Sequence, residues 1–171
     1  MITVEEALKI VHAHLGHWGT EEIFLDQSLG RILQEEIVAD RDFPPFNRVT
    51  MDGIGLSFDQ FDKGQRVFEI KGVAPAGGLQ QELPDPSYCL EVMTGATVPI
   101  GIDVVVRYED LEILEGKATV RLSSLNRNQN IHFKGSDRHQ GSVILSPGKC
   151  ISASEVGVCA TVGKNKISVS R

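Results

Sequence analysis

No stretch of this sequence is apolar for long enough to cross a bilayer, which takes about 20 residues as a helix. The N-terminus lacks a charged head followed by an apolar core, so no signal peptide is expected. Cysteine is scarce and scattered: Cys89, Cys150 and Cys159 are odd in number, widely spaced and without a C-x-x-C pair. That excludes a zinc ribbon or a thioredoxin-like motif and fits a reduced, cytoplasmic setting. Positive charge is in deficit, 17 Lys and Arg against 23 Asp and Glu, a formal net charge of −6. Such a surface repels phosphate backbones, so neither nucleic acid nor membrane is expected as a partner. The Gly-Lys-Ser/Thr ending of a P-loop, the Rossmann fingerprint, a nucleophile elbow and a Ser-His-Asp order are all missing.

What remains is ordinary globular material: 171 residues, 41% hydrophobic and 23% charged. A chain of this length buries roughly 70% of its unfolded surface and needs no staples, so a soluble fold of one domain or two small ones is expected.

The chain opens with Thr3-Val4-Glu5-Glu6, a capping box in which hydroxyl and carboxylate each satisfy a free amide. Ala7, Leu8, Val11 and Leu15 follow on one helical stripe, and Gly16 suits its end. Glu22–Leu25 is strand-like. Ser28–Ile37 reads as a second helix, weakened by Gly30. At Asp42-Phe43-Pro44-Pro45-Phe46 helix is forbidden, because consecutive prolines remove donors and impose extended backbone. Strand composition then dominates: Arg66–Ile70, Tyr88–Met93, Asp103–Tyr108, Glu112–Leu114 and Ala118–Leu122, with a hairpin turn at Glu115-Gly116-Lys117. Ser152-Ala153-Ser154-Glu155 is a second capping box. Gly163 closes its helix, and Lys166–Val169 is a last strand. The order helical, β, helical predicts an α+β fold. A mixed domain built from residues 1–48 and 138–171 would carry an inserted, irregular, twisted β domain, residues 49–137.

Four segments can carry chemistry, and each has a plainer reading. Met51-Asp52-Gly53 is an Asp-Gly turn, or a rigid connector presenting a carboxylate to Mg²⁺ or a proton. Met93-Thr94-Gly95-Ala96 is a turn, or an anion cradle of converging amides with the Thr94 hydroxyl as a further donor. Arg107-Tyr108-Glu109-Asp110 is a solvated hairpin end, or less often a metal-binding pair. Phe133-Lys134-Gly135-Ser136-Asp137-Arg138 lies in a basic stretch from Arg121 to His139, and is a polar loop or an anion site. His12, His14 and His17 imply no third ligand and read as surface residues.

In their order, these segments resemble the MoeA/gephyrin E-domain family. The resemblance begins at Thr3-Val4-Glu5-Glu6-Ala7-Leu8 and Leu29-Gly30-Arg31-Ile32-Leu33. It runs through Asp42-Phe43-Pro44-Pro45-Phe46, Met51-Asp52-Gly53, Met93-Thr94-Gly95-Ala96 and Asp103-Val104-Val105, and ends with Gly135, Asp137, Gly141 and Gly148. It departs at Asn47, Val49, Thr50, Ile54, Gly55, Pro75 and Ser136. There the family usually carries Asp, Ser, Ala, Tyr, Ala, a small residue and Glu.

The resemblance implies the N-terminal and linker region of a molybdopterin molybdenumtransferase. Such enzymes transfer molybdenum from molybdate to adenylylated molybdopterin with Mg²⁺ and release of AMP. It implies an elongated homodimer whose cleft is shared with a molybdopterin-binding α/β domain, and a molybdopterin-adenylating protein or domain as partner. Asp52, Thr94 and Asp137 match positions lining that cleft. Gly53, Gly95, Lys134, Gly135 and Arg138 are the accompanying cofactor-binding candidates. No protein metal cage is expected, Mg²⁺ depending on the further domain. The expectation is of several loops gathered into one oxyanion-and-magnesium pocket at the rim of the β module. The family's following segment, a strand into a Thr-Gly-Asp-Glu turn, is not among these residues, so the chain alone is expected to be inactive. The rival expectations are a dimerisation or scaffolding module, or an anion- or pterin-binding one.

Overall fold

The computed structural model describes residues 2–14, 16 and 19–171. Among these, helices α1 (Val4–Ala13), α2 (Phe58–Asp62) and α3 (Ala153–Thr161) accompany short strands. The strands are β1 (Thr20–Phe24), β2 (Ile37–Val38), β3 (Arg48–Val49), β4 (Gly53–Leu56), β5 (Val67–Ala74), β6 (Tyr88–Val92), β7 (Val104–Arg107), β8 (Leu111–Leu114), β9 (Lys117–Val120), β10 (Ile131–His132), β11 (Val143–Leu145) and β12 (Lys166–Ser170). No described helix is long and apolar enough to cross a membrane. Two compact units result, Met1–Asp40 with Gly141–Arg171, and Arg41–Gln140. The sequence had placed these divisions at 48/49 and 137/138.

In the discontinuous unit, β1 pairs antiparallel with β12, from Thr20 opposite Ser170 to Phe24 opposite Lys166, and β2 pairs with β11. Leu33, Ile37, Ile151, Cys159, Ile167 and Val169 form its core. The helix expected over Ser28–Ile37 does not form. Instead a single 3₁₀ turn, Leu25–Gln27, ends where the Ser28 hydroxyl bonds back to the Leu25 carbonyl at 2.6 Å. Gly30 then takes φ +79°, outside helical space. The following amides find distant partners, Leu33 on the Lys149 carbonyl and Gln34 on that of Ser168. Extended pairing thus overrides the weak helical preference.

Both capping boxes form, Thr3 with Glu6 and Ser152 with Glu155. Their helices differ. α3 buries Cys159, whereas α1 buries no residue and leaves Val4, Leu8 and Val11 between 53% and 73% exposed. Helix α1 ends at Ala13, short of Gly16. Leu15 of the expected stripe and His17 of the histidine group lie outside the described residues.

The second unit is a six-stranded sheet in the order β7-β4-β6-β5-β9-β8. All neighbours are antiparallel except β5 and β6. Alternate residues of β7 divide between two apolar clusters. Val104 and Val106 join Ile54, Leu56 and Phe68, while Val105 joins Val92, Val98 and Ile102. The expected hairpin turn is present, with Glu115 and Gly116 at φ 50° and 73° between β8 and β9. β4 was not foreseen, because two of its four residues are glycine. They are required. A Cβ on Gly53 would lie 1.9 Å from the Val106 carbonyl oxygen, and one on Gly55 would meet Ile102 at 2.7 Å.

Candidate functional site

Sheet register assembles the site. Gly53, the first residue of β4, pairs with Val92 at the end of β6 and with Arg107 at the end of β7. Residues just outside these strand ends therefore meet at one end of the sheet. Met51, Asp52, Thr94, Arg107, Tyr108 and Glu109 line a cleft of about 290 Å³ there.

The Asp52 Oδ1 accepts the Thr94 amide at 2.6 Å. This amide, and then the Thr94 hydroxyl, hold the Asp52 carboxyl below the ordinary carboxylate range. The Tyr108 amide donates to the Asp52 carbonyl at 3.3 Å, and its hydroxyl donates to Glu91 at 3.2 Å. Burial, reinforced by Glu91 and Asp52, pushes the Tyr108 phenol up, so it remains a donor. Arg107 directs Nε and Nη2 to Asp110 at 3.0 and 2.9 Å. With its charge committed there, the carboxylates of Asp52 and Glu109 set the sign of the cleft.

The sequence weighed Arg107–Asp110 mainly as a solvated hairpin end. The structure brings Arg107, Tyr108 and Glu109 to the cleft. The available signal was the position of that segment at the end of a strand.

Asp137, Lys134, Gly135 and Arg138 do not line this cleft. They belong to a loop tied to Asp42–Asn47. The Lys134 amide donates to Asn47 Oδ1 at 2.9 Å, Gly135 to the Pro44 carbonyl at 3.0 Å, and Asp137 to the Phe43 carbonyl at 2.9 Å. Asp42 Oδ1 accepts the Gln140 amide at 2.8 Å, and that bond, with Lys134 and His139, lowers its carboxyl. His132 meets Asp137 at 2.9 Å.

The two groups share one support, β3. The Val49 carbonyl accepts the Gly95 amide, and Val49 and Arg48 pair with Ile131 and His132 of β10. The expected single pocket is thus two adjoining structures braced on β3. An amide cradle is not formed either, since the Gly95 and Gly135 amides already donate to the Val49 and Pro44 carbonyls. The basic stretch is similarly occupied: Arg121 pairs with Glu112, Arg127 with Asp103 and Asp59, and Lys134 with Asp42. Among the described residues, no three His, Cys, Asp or Glu side chains converge on a metal position.

A family model described as the MoeA N-terminal region, domains I and II, matches residues 2–163. The chain belongs to this MoeA family. A molybdopterin molybdenumtransferase of Synechocystis sp. is 37% identical over 176 residues, covering 100% of this chain and 44% of the relative. One from Staphylococcus epidermidis is 33% identical over 174 residues, covering 99% and 41%. Two solved structures of the molybdopterin biosynthesis MoeA protein from Pyrococcus horikoshii superpose with TM-scores of 0.87 and 0.78, at 28% and 26% identity. They cover 97% and 100% of this MoeA chain, and 45% and 44% of theirs. The chain therefore spans less than half the length of these curated relatives and of both solved structures.

Proposed function

We propose that this MoeA chain supplies the N-terminal part of a molybdopterin molybdenumtransferase, inserting molybdenum from molybdate into adenylylated molybdopterin. The observation that carries the reading is the Asp52–Thr94 pair, fixed in a cleft of a chain whose whole length matches such enzymes. In this reading the linker unit is elongated, the chain works as a cytoplasmic homodimer, and the cleft is completed by a molybdopterin-binding α/β domain. A molybdopterin-adenylating protein or domain delivers the substrate.

The residues suit that task in one respect above all. Asp52 is kept ionised by a bond that orients it, so it accepts from water or an incoming donor without first losing a proton. The cleft's oxygens, from Asp52, Glu109 and Thr94, are hard donors. Mg²⁺ is commonly bound by one or two carboxylates together with substrate phosphates, so Asp52 and Glu109 fit such an ion. Bound there, it would offset phosphate and molybdate charge. Thr94 fixes the carboxylate, and Tyr108 closes the side of the cleft with its hydroxyl anchored on Glu91. Asp137, with Lys134, Gly135 and Arg138, is proposed to face the same substrate from the adjoining loop.

The test is complementation. The chain is mixed with a separately produced α/β domain of a relative, adenylylated molybdopterin, Mg²⁺ and molybdate, and molybdenum transfer is followed. Transfer that Asp52→Ala abolishes supports the reading. No transfer with both pieces folded overturns it.

A further inference from the structure

We infer that His132 is a positioning residue for the Asp137 carboxylate, and that Arg48 selects the ring tautomer that lets it act. The inference rests on the proposed function only in taking Asp137 as a site acid.

The arrangement follows from register. β3 and β10 place Arg48 directly opposite His132, and the Arg48 Nη2 stands 3.4 Å from His132 Nδ1. A guanidinium has donors only and keeps its charge, so the nitrogen facing it must offer a lone pair. The ring proton is thereby left on Nε2. That nitrogen lies 2.9 Å from Asp137 Oδ1 and donates to it.

Other bases of the loop do not take this role. Lys134 and His139 face Asp42 at 3.6 and 3.8 Å, and Arg138 Nη1 donates to the Asp137 carbonyl, not to its carboxylate. The Asp137 amide is pinned on the Phe43 carbonyl. His132 completes the fixation by holding one carboxylate oxygen, while 57% of the Asp137 side-chain surface stays open to solvent. A histidine here thus converts a strand pairing into the orientation of an acid several residues away.

The ring is the readout. In the ¹⁵N-histidine-labelled chain above neutral pH, long-range ¹H–¹⁵N spectra should show His132 as one neutral tautomer with its proton on Nε2, its signal assigned by loss in His132→Gln. The Asp137 carboxylate, which only accepts, favours the same tautomer, so the role of Arg48 is read in Asp137→Ala: there the proton should stay on Nε2, and adding Arg48→Leu should let the two tautomers mix. A proton on Nδ1 in the wild type, or an unchanged single tautomer in the double variant, overturns the inference. In the transfer reaction, His132→Ala should lose activity to the same extent as Asp137→Ala, up to about 100-fold for a misplaced group. His132→Gln, which can still donate from its amide, should recover most of it. Wild-type transfer by His132→Ala refutes the positioning role. If the wild type itself transfers nothing, the proposed function fails while the ring spectra still decide this point.

Discussion

The Asp52 carboxylate accepts the Thr94 amide at 2.6 Å across 42 residues of chain, joining the residue before β4 to the turn after β6. The bond exists only because β4 and β6 are paired, so it reports on the sheet end and on the site together.

Its pH dependence has a definite sign. Folding lowers the Asp52 carboxyl from the ordinary value of 3.8, chiefly through the Thr94 amide. Its stabilising contribution is therefore complete above that value and is lost as pH falls through the lower folded one. The Thr94 amide proton shift should follow a single acid titration with its midpoint below 3.8, and Asp52→Asn should remove that titration. A midpoint at or above the ordinary value would contradict the bond.

Two glycines of β4 should differ in cost. Gly53→Ala places a methyl against the Val106 backbone carbonyl, which cannot yield, whereas Gly55→Ala meets only side-chain atoms, the Cδ1 and Cγ2 of Ile102 and the Cγ1 of Val92. Gly55→Ala should cost about 1–3 kcal/mol by urea unfolding, relieved in part by Ile102→Val, which removes Cδ1 alone, and Gly53→Ala should cost more. Equal losses would argue against the β4–β7 approach described here.

The two capping boxes should respond unequally to the same change. Ser152→Ala should lower global stability by about 1 kcal/mol, because α3 is packed through Cys159. Thr3→Ala should speed amide exchange in the first turn of α1 with little effect on the unfolding midpoint, since α1 buries nothing.

Cysteine labelling should be selective. Burial pushes the Cys89 thiol up to about 12, and Cys159 is raised and buried as well, whereas Cys150 is exposed. Iodoacetamide on the native chain, read by mass spectrometry, should mark Cys150 alone, with all three reacting after denaturation.

Features with local causes were legible in the sequence. Thr3-x-x-Glu6 and Ser152-x-x-Glu155 specify their own helix starts, and Glu115-Gly116 specifies its own turn. The Asp52–Thr94 association was read through family resemblance, not through spacing. What escaped depended on distant partners. Leu33 and Gln34 leave helical geometry for carbonyls more than a hundred residues away. β4 hides in glycines that only the neighbouring strand explains. Arg107, Tyr108 and Glu109 enter the cleft through the alignment of β7 with β4, of which the sequence signals only that the segment ends a strand.

The pairing of Thr20 with Ser170 also orders events during synthesis. Emerging from the ribosome, β1 has no mate until β12 has been made, whereas every strand of the six-membered sheet lies within Arg41–Gln140, between the two. The inserted sheet can thus settle while translation continues, and the flanking unit closes afterwards around its late-arriving strand.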